Sequence, residues 1–206
     1  MKRILLIAGL IFCLGGFSLA IDWSANLLLN HDFEDYPDGV PSPTDWRFFA
    51  VGGAVGTCTR VTDAFSGIYA AHITWDNPWA GGMDSALDNI DNKYSVTPGV
   101  TYVAGGYFKS SNSSVFRIKT PTFTGSGTWL GSDHTDGSAY WKTGTADFQF
   151  HTVEFTAEPT AAQGQATFQL VTTGGGILTI DKVFVMTKAS YDYVETAASP
   201  SWTLYE

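Results

Sequence analysis

Charged residues are scarce in this chain of 206 residues, because only 15% of it is Asp, Glu, Lys or Arg. A disordered chain carries high charge and few aromatic residues, so this low charge together with 15% Phe, Trp and Tyr excludes that class. Basic residues are especially few, at 11 Lys and Arg against 20 Asp and Glu. The formal charge of −9 therefore argues against binding to nucleic-acid phosphates or to an anionic membrane surface.

Cysteine is almost absent, and of Cys13 and Cys58 only the second falls in a segment that we expect in the folded chain. The N-terminus begins with two basic residues, continues without a charge to Phe17, and places small residues before a cleavage position after Ala20. This pattern predicts that residues 1–20 are a secretory signal peptide, although an uncleaved N-terminal anchor stays open. Cys58 is then unpaired, and its strand-like surroundings favour a small buried residue over a reactive thiol.

Long hydrophobic runs are missing from the remainder of the chain, so we expect no membrane contact after cleavage. The signal peptide predicts a secreted protein that is extracellular or at the cell surface, with the periplasm as a further possibility.

Short segments with a two-residue alternation are abundant, whereas the 3.6-residue period of long amphipathic helices is not seen. Gly, Pro, Asn and Asp clusters separate these segments. The predicted strands are 26–33, 46–51, 57–62, 69–75, 101–109, 115–120, 148–156, 166–172 and 177–186, with 84–93 ambiguous between a loop and a strand. They predict an all-β domain at 21–186, built as a two-sheet antiparallel β-sandwich. We expect the aromatic tail, 187–206, either to pack on the sandwich or to contact a protein partner.

Five local motifs occur in a specific order along the chain. They are Asn26–Glu34, Pro43–Trp46, Ala64–Ala71, Val96–Tyr102 and Ile177–Val183. Together they resemble the carbohydrate-binding modules of the family 4/9/22 type, which belong to the galactose-binding-domain-like jelly rolls. The resemblance implies a jelly-roll fold that binds a polysaccharide or glycan. One position departs from it, because the family usually has two acidic residues before the last Val and the second is Lys182 here.

Asp181 interrupts the apolar run of the last predicted strand, and an ionised carboxylate in such a position needs a partner. A calcium ion is one solution, since it takes carboxylate and backbone carbonyl oxygens. The resemblance implies the same structural Ca²⁺, held by Glu34, Asp181 and backbone oxygens near Gly67. The alternative is that Asp181 caps a turn or pairs with Lys182 or another basic residue.

Aromatic residues in polar loops are the main functional signal. The C–H face of a sugar ring stacks on Trp and Tyr, while its hydroxyl groups need polar partners. The candidate ligand-binding residues in loops are Trp75, Asp76, Asn77, Trp79, Trp129, Tyr140 and Trp141, and those on strand faces are Tyr107, Arg117, Gln149 and Gln169. The alternative is that the large aromatic residues only seal the rims of the sandwich.

Catalytic motifs are lacking, since there is no Gly-x-Ser-x-Gly elbow and no His-Glu-x-x-His zinc helix. We therefore expect a non-catalytic carbohydrate-binding protein, which acts alone or assists separate glycoside hydrolases. The alternative is a structural or adhesive cell-surface protein that uses the same fold for protein contacts.

Overall fold

The computed structural model describes residues 23–50, 55–75, 85–131, 141–171 and 175–197, which form an almost entirely β structure. Its strands are β1 (Arg47–Ala50), β2 (Gly56–Val61), β3 (Ala70–Trp75), β4 (Ser85–Asp88), β5 (Tyr94–Ser95), β6 (Thr101–Lys109), β7 (Val115–Lys119), β8 (Thr122–Phe123), β9 (Trp141–Thr143), β10 (Gln149–Thr156), β11 (Gln163–Gly164), β12 (Thr167–Leu170) and β13 (Gly176–Thr187). Short 3₁₀ helices lie at Trp23–Ala25 and Ile90–Asn92, and α1 spans Lys188–Ala197.

Two five-stranded sheets account for most of these strands. Sheet A has the order β1-β4-β12-β7-β9 and sheet B the order β10-β6-β13-β3-β2, while β5, β11 and β8 form a small third sheet. The strand pairs in all three sheets are antiparallel. The predicted antiparallel sandwich is thus confirmed, and eight of the predicted strands match observed ones to within two residues at either end.

The hydrophobic core lies between sheets A and B and is rich in aromatic rings. The fully buried ring of Phe108, on sheet B, packs 4.7 Å from Phe116 and 5.4 Å from Phe168, both on sheet A. Cys58 is also buried, and burial raises the pKa of its thiol to about 11. The thiol is therefore protonated at neutral pH, in agreement with the prediction of a small core residue.

A second apolar cluster lies on the outer face of sheet B, where α1 packs against it. The Tyr191 ring stacks 5.9 Å from the buried Phe184, and Trp23 approaches Phe184 edge-on at 6.2 Å. The first part of the C-terminal tail therefore packs back on the sandwich, whereas 71% of Tyr193 is exposed. Among the helices of the described ranges, none combines the length and the apolar character that a membrane crossing needs.

The segment 26–33 is not a strand, which corrects the prediction. Residues 29–32 form a turn, and Asn30 and Phe33 have φ angles of 40° and 56°, outside the extended region. The segment nevertheless lies against β13. The Asn26 side chain donates to the Val183 carbonyl at 3.0 Å and accepts from the Val185 amide at 3.0 Å, so this one amide binds β13 twice.

A β-bulge interrupts β13 between Asp181 and Phe184. Lys182 takes a φ of 47° there, and a Cβ on the opposing Gly106 of β6 would lie 2.9 Å from the Val183 side chain. Glycine is therefore required at position 106 for β6 to approach the bulge. The bulge turns Val183 into the core and leaves Asp181 on the outer face of sheet B.

Replacement of Phe108 by alanine tests the aromatic core. We expect Phe108→Ala to lower the free energy of unfolding by about 3–5 kcal/mol, because the cavity would lie between the two sheets. Urea denaturation measures this change. Val55→Ala is the control, since 66% of Val55 is exposed and its loss should cost less than about 0.5 kcal/mol. Equal effects of the two substitutions would contradict this core.

Candidate functional site

A row of five residues crosses the outer face of sheet A. The strand registers align Phe49 with Ala86, Ala86 with Gln169, Gln169 with Arg117, and Arg117 with Trp141. Paired residues of antiparallel strands point to the same face, so all five side chains share the outer one. Four strand spacings of about 4.8 Å give the row a length of roughly 19 Å.

The middle of this row is polar and its ends are aromatic. Arg117 donates from Nε to Gln169 Oε1 at 2.6 Å, and Gln169 is only 4% exposed, which fixes both side chains. The Trp141 ring beside them is 49% exposed. At the other end the Arg47 guanidinium lies 5.1 Å above the centre of the Phe49 ring.

The next row on this face is a hydrogen-bonded network around Asp88. Arg47 donates to its two carboxylate oxygens at 3.2 and 2.8 Å, and the Gln165 amide donates at 3.0 Å. Burial raises the pKa of Asp88, and the hydrogen bonds and charge of Arg47 oppose that shift. Asp88 and Gln165 are buried, so the network fixes the half-exposed Arg47 guanidinium beside Phe49.

This surface has the chemistry of a sugar site. An exposed indole can stack on the C–H face of a sugar ring, while the neighbouring guanidinium can donate to its hydroxyl groups. Asp88 is the only acidic residue in the five strands of sheet A. These strands therefore supply no pair of carboxylates of the kind that most glycosidases use.

The structure brings together only some of the predicted ligand-binding residues. Arg117 and Trp141 are cross-strand neighbours, and Gln169 joins them. Tyr107 lies on the outer face of sheet B, on the opposite side of the sandwich, where its ring stacks 3.5 Å from Phe65. These residues cannot contact a single sugar unit together.

The other predicted residues are dispersed. Gln149 is exposed at the start of β10, and Trp129, 53% exposed, pairs with Phe123 beside the small sheet. Trp75 is fully buried in β3, so the prediction that it stacks on a sugar is wrong. Asp76, Asn77, Trp79 and Tyr140 lie outside the described residues.

Sequence reasoning missed Phe49, although the sequence carries a signal for it. In the run from Trp46 to Ala50, Trp46 and Phe48 are two residues apart and pack into or against the core. Phe49 falls between these positions and therefore points outward. An aromatic residue on the polar face of a strand marks a candidate ligand contact.

Two carboxylates hold the loop 65–69 over the outer face of sheet B. Asp181 accepts the Ser66 amide at 2.9 Å, and Glu34 accepts the amides of Ile68 and Tyr69 at 2.8 and 3.1 Å. Between these contacts Gly67 has a φ of 74°, and a Cβ on it would overlap the Glu34 carboxylate. Thus the three residues predicted for the metal meet at one loop.

Asp181 is completely buried there, and burial raises its pKa to about 6 against the lowering effect of its backbone hydrogen bonds. It accepts amides from Ser66 and from Lys182, as the turn-capping alternative expects. The Lys182 ammonium lies instead 3.5 Å from Asp32.

The described residues contain no group of three His, Cys, Asp or Glu side chains suited to a metal. A calcium ion at this loop would therefore need backbone carbonyl oxygens besides the two carboxylates.

Two glycine substitutions measure how tightly the carboxylates hold the loop. Gly67→Ala and Gly39→Ala both place alanine at a φ near 75°, which costs about 1–2 kcal/mol each. A Cβ on Gly39 meets nothing within 4 Å, so Gly39→Ala is the matched control. We expect Gly67→Ala to lose at least about 1.5 kcal/mol more, because the displaced Glu34 carboxylate loses charged hydrogen bonds. Chemical denaturation would show this difference, and equal losses would contradict it.

Comparison with known proteins identifies the fold. No protein-family model and no curated protein matches this chain. Among solved structures it is similar to a CBM4 module, with a TM-score of 0.53 and 18% identity over 77% of this chain and 98% of that one. It is also similar to the tandem CBM22 domain of Paenibacillus barcinonensis Xyn10C, with a TM-score of 0.53 and 14% identity over 79% of this chain and 46% of that one.

Two enzymes have a similar fold. A cyclase from Fischerella sp. TAU gives a TM-score of 0.55 at 14% identity, over 78% of this chain and 95% of the cyclase. The enzymatically active domain of bacteriophage CBA120 tailspike protein 4 gives 0.57 at 13% identity over 79% of this chain, which spans only 21% of that domain. These likenesses confirm the jelly-roll fold and its resemblance to carbohydrate-binding modules, and the same fold is present in enzymes.

Proposed function

We propose that this chain is a secreted, non-catalytic protein that binds a polysaccharide or glycan on the outer face of sheet A. The observation that carries the proposal is the alignment of the exposed Trp141 ring with Arg117 and Gln169. The fold shared with carbohydrate-binding modules supports it. The protein would retain polysaccharide by itself or beside separate glycoside hydrolases.

The rigidity of the polar groups favours binding. Gln169 is buried and accepts a short hydrogen bond from Arg117, so neither side chain has to be ordered when a ligand arrives. Ordering a long side chain on binding costs about 0.5–1.5 kcal/mol, and this site avoids much of that cost. A guanidinium group carries the type of donor that hydroxyl oxygens of a sugar accept.

The separation of the two aromatic ends favours an extended ligand, which would contact the rings and Arg117 because Ala86 and Gln169 between them are buried. Phe49 and Trp141 lie on the two edge strands of sheet A, with the polar residues between them. A glycan that reaches both rings gains two aromatic contacts, each worth about 0.5–1.5 kcal/mol. Oligosaccharides long enough to span the row should therefore bind more tightly than short ones.

Protein contact is the second candidate function, and the exposed Tyr193 on α1 is the described residue that favours it. A structural or adhesive protein would use such a residue against a partner. This candidate gains support if the wild-type chain shows no affinity for plant, algal or bacterial polysaccharides.

Loss of the indole tests the glycan proposal. Trp141→Ala should weaken binding to a retained polysaccharide by roughly three- to tenfold, because one aromatic contact is lost. Arg117→Ala should weaken it by a similar factor, since it also releases the Gln169 amide. Affinity electrophoresis through gels that contain soluble polysaccharides measures both changes.

The matched control is Tyr193→Ala, which removes an exposed aromatic ring from the other side of the sandwich. Trp129→Ala shows in the same gels whether that loop residue contributes. If Trp141→Ala and Arg117→Ala migrate like the wild type at unchanged melting temperature, the site is not on sheet A.

We also propose that a calcium ion binds at the loop 65–69, held by Glu34, Asp181 and backbone oxygens near Gly67. The carboxylates of the buried Asp181 and of Glu34 contact the same loop. Two carboxylates at one loop fit a hard cation, which takes oxygen ligands. The ion would neutralise the carboxylates and fix the loop.

Removal of metal tests this ion. A chelator should lower the melting temperature and added calcium should restore it, since a ligand at a hundredfold excess over its dissociation constant stabilises by about 2.7 kcal/mol. Asp181→Asn should abolish the response to calcium. Identical melting curves with chelator and with calcium, together with no metal in elemental analysis, would refute the site.

A further inference from the structure

A separate small cavity opens on the outer face of sheet B, on the side of the sandwich opposite to the Phe49–Trp141 row. Its volume is about 160 Å³, and its lining residues are Val61, Asp63, His72, Lys109, Ser111, Ile177 and Thr179. Pockets for drug-sized ligands measure about 300–1,000 Å³, so this cavity suits one sugar unit and not a longer chain.

The strand registers create the floor of this cavity. They align His72 of β3 with Thr179 of β13, and Thr179 with Lys109 of β6. The His72 ring nitrogen Nδ1 and the Thr179 hydroxyl are hydrogen-bonded at 2.9 Å. Burial lowers the pKa of His72, which keeps the imidazole neutral at pH 7, and the nearby Asp63 carboxylate opposes that shift.

An ion pair forms the wall above this floor. Lys109 Nζ lies 2.6 Å from Asp63 Oδ2, and the two side chains are 24% and 63% exposed, so both can be reached from solvent. A carboxylate beside an ammonium matches two adjacent hydroxyl groups, because one hydroxyl donates to Asp63 while the other accepts from Lys109. The pair is neutral as a whole, which favours a neutral sugar over a uronic acid.

Two aromatic rings lie beyond Lys109, outside the residues that line the cavity. The ammonium lies 5.6 Å from the centre of the Phe148 ring, and Phe148 packs edge-on against Phe65 at 6.1 Å. Phe65 is 45% exposed although it stacks on Tyr107.

We propose that this cavity is a second glycan site, which takes one neutral sugar unit with two adjacent hydroxyl groups. A site for one unit suits the end of a chain, whereas the row on sheet A suits its interior. Since the two sites lie on opposite faces, one protein molecule can bind two glycan chains. This site shares no residue with the site on sheet A, so it does not depend on that site.

Ligand-observed NMR with methyl glycosides of glucose, galactose, mannose and xylose tests this site, and methyl glucuronide is the charged comparison. At least one neutral glycoside should bind the wild type and the Arg117→Ala variant equally. Lys109→Met should weaken that binding at least fivefold. Lys188→Met is the matched control, because it also deletes an ion-paired lysine near sheet B and should change nothing.

The imidazole signals of His72 provide a second measurement in the wild type, which avoids any question of folding. They should shift when the neutral glycoside is added. If Arg117→Ala abolishes binding of the glycoside while Lys109→Met leaves it intact, the second site is overturned and the glycoside binds on sheet A. The second site would also be overturned if no glycoside binds, if the His72 signals do not shift, or if the glucuronide binds more tightly than the neutral glycosides. The site on sheet A is tested separately, by the retardation of the protein in gels that contain polysaccharide.

Discussion

The buried carboxylate of Asp181 is the constraint around which sheet B is organised. A charge without water is costly unless hydrogen bonds surround it, and Asp181 obtains them from the amides of Ser66 and Lys182. This carboxylate lies on the outer face immediately before the bulge in β13, and Gly106 leaves room for the bulge. Glu34 holds the other end of the same loop, so the N-terminal segment, the loop and the last strand are bound to one another.

The Phe49–Trp141 row on sheet A follows from a different constraint, the burial of the inner face of the sheet. Phe48, Leu87, Phe168 and Ile118 form the neighbouring cross-strand row and point into the core. A slip of one residue in any strand would exchange its faces, so burying this row also fixes the outward row from Phe49 to Trp141. The position of the candidate sugar site is therefore a consequence of core packing, and no separate interaction is needed to specify it.

Local alternation predicted most strands because side chains in a strand point to opposite faces in turn. It failed at 26–33, where the apolar residues resemble a strand but Asn30 and Phe33 adopt positive φ angles. The same alternation indicates that Trp75 faces the core, because Trp75 lies two residues after the buried Ile73 on the same strand. Alternation does not reveal which strands pair. Alternation alone therefore does not show that Tyr107 and Arg117 lie on opposite sides of the sandwich.

The two candidate sites respond to different parts of the structure. The loop that Asp181 and Glu34 hold begins two residues after Asp63, so the ion pair of the cavity depends on the position of this loop. The row on sheet A has no residue in this loop and is fixed by strand pairing across the core. A change that loosens the loop thus alters the geometry of the sheet B cavity while it leaves the register of sheet A in place. Core packing therefore fixes the outer face of sheet A, whereas buried carboxylates fix the cavity on sheet B.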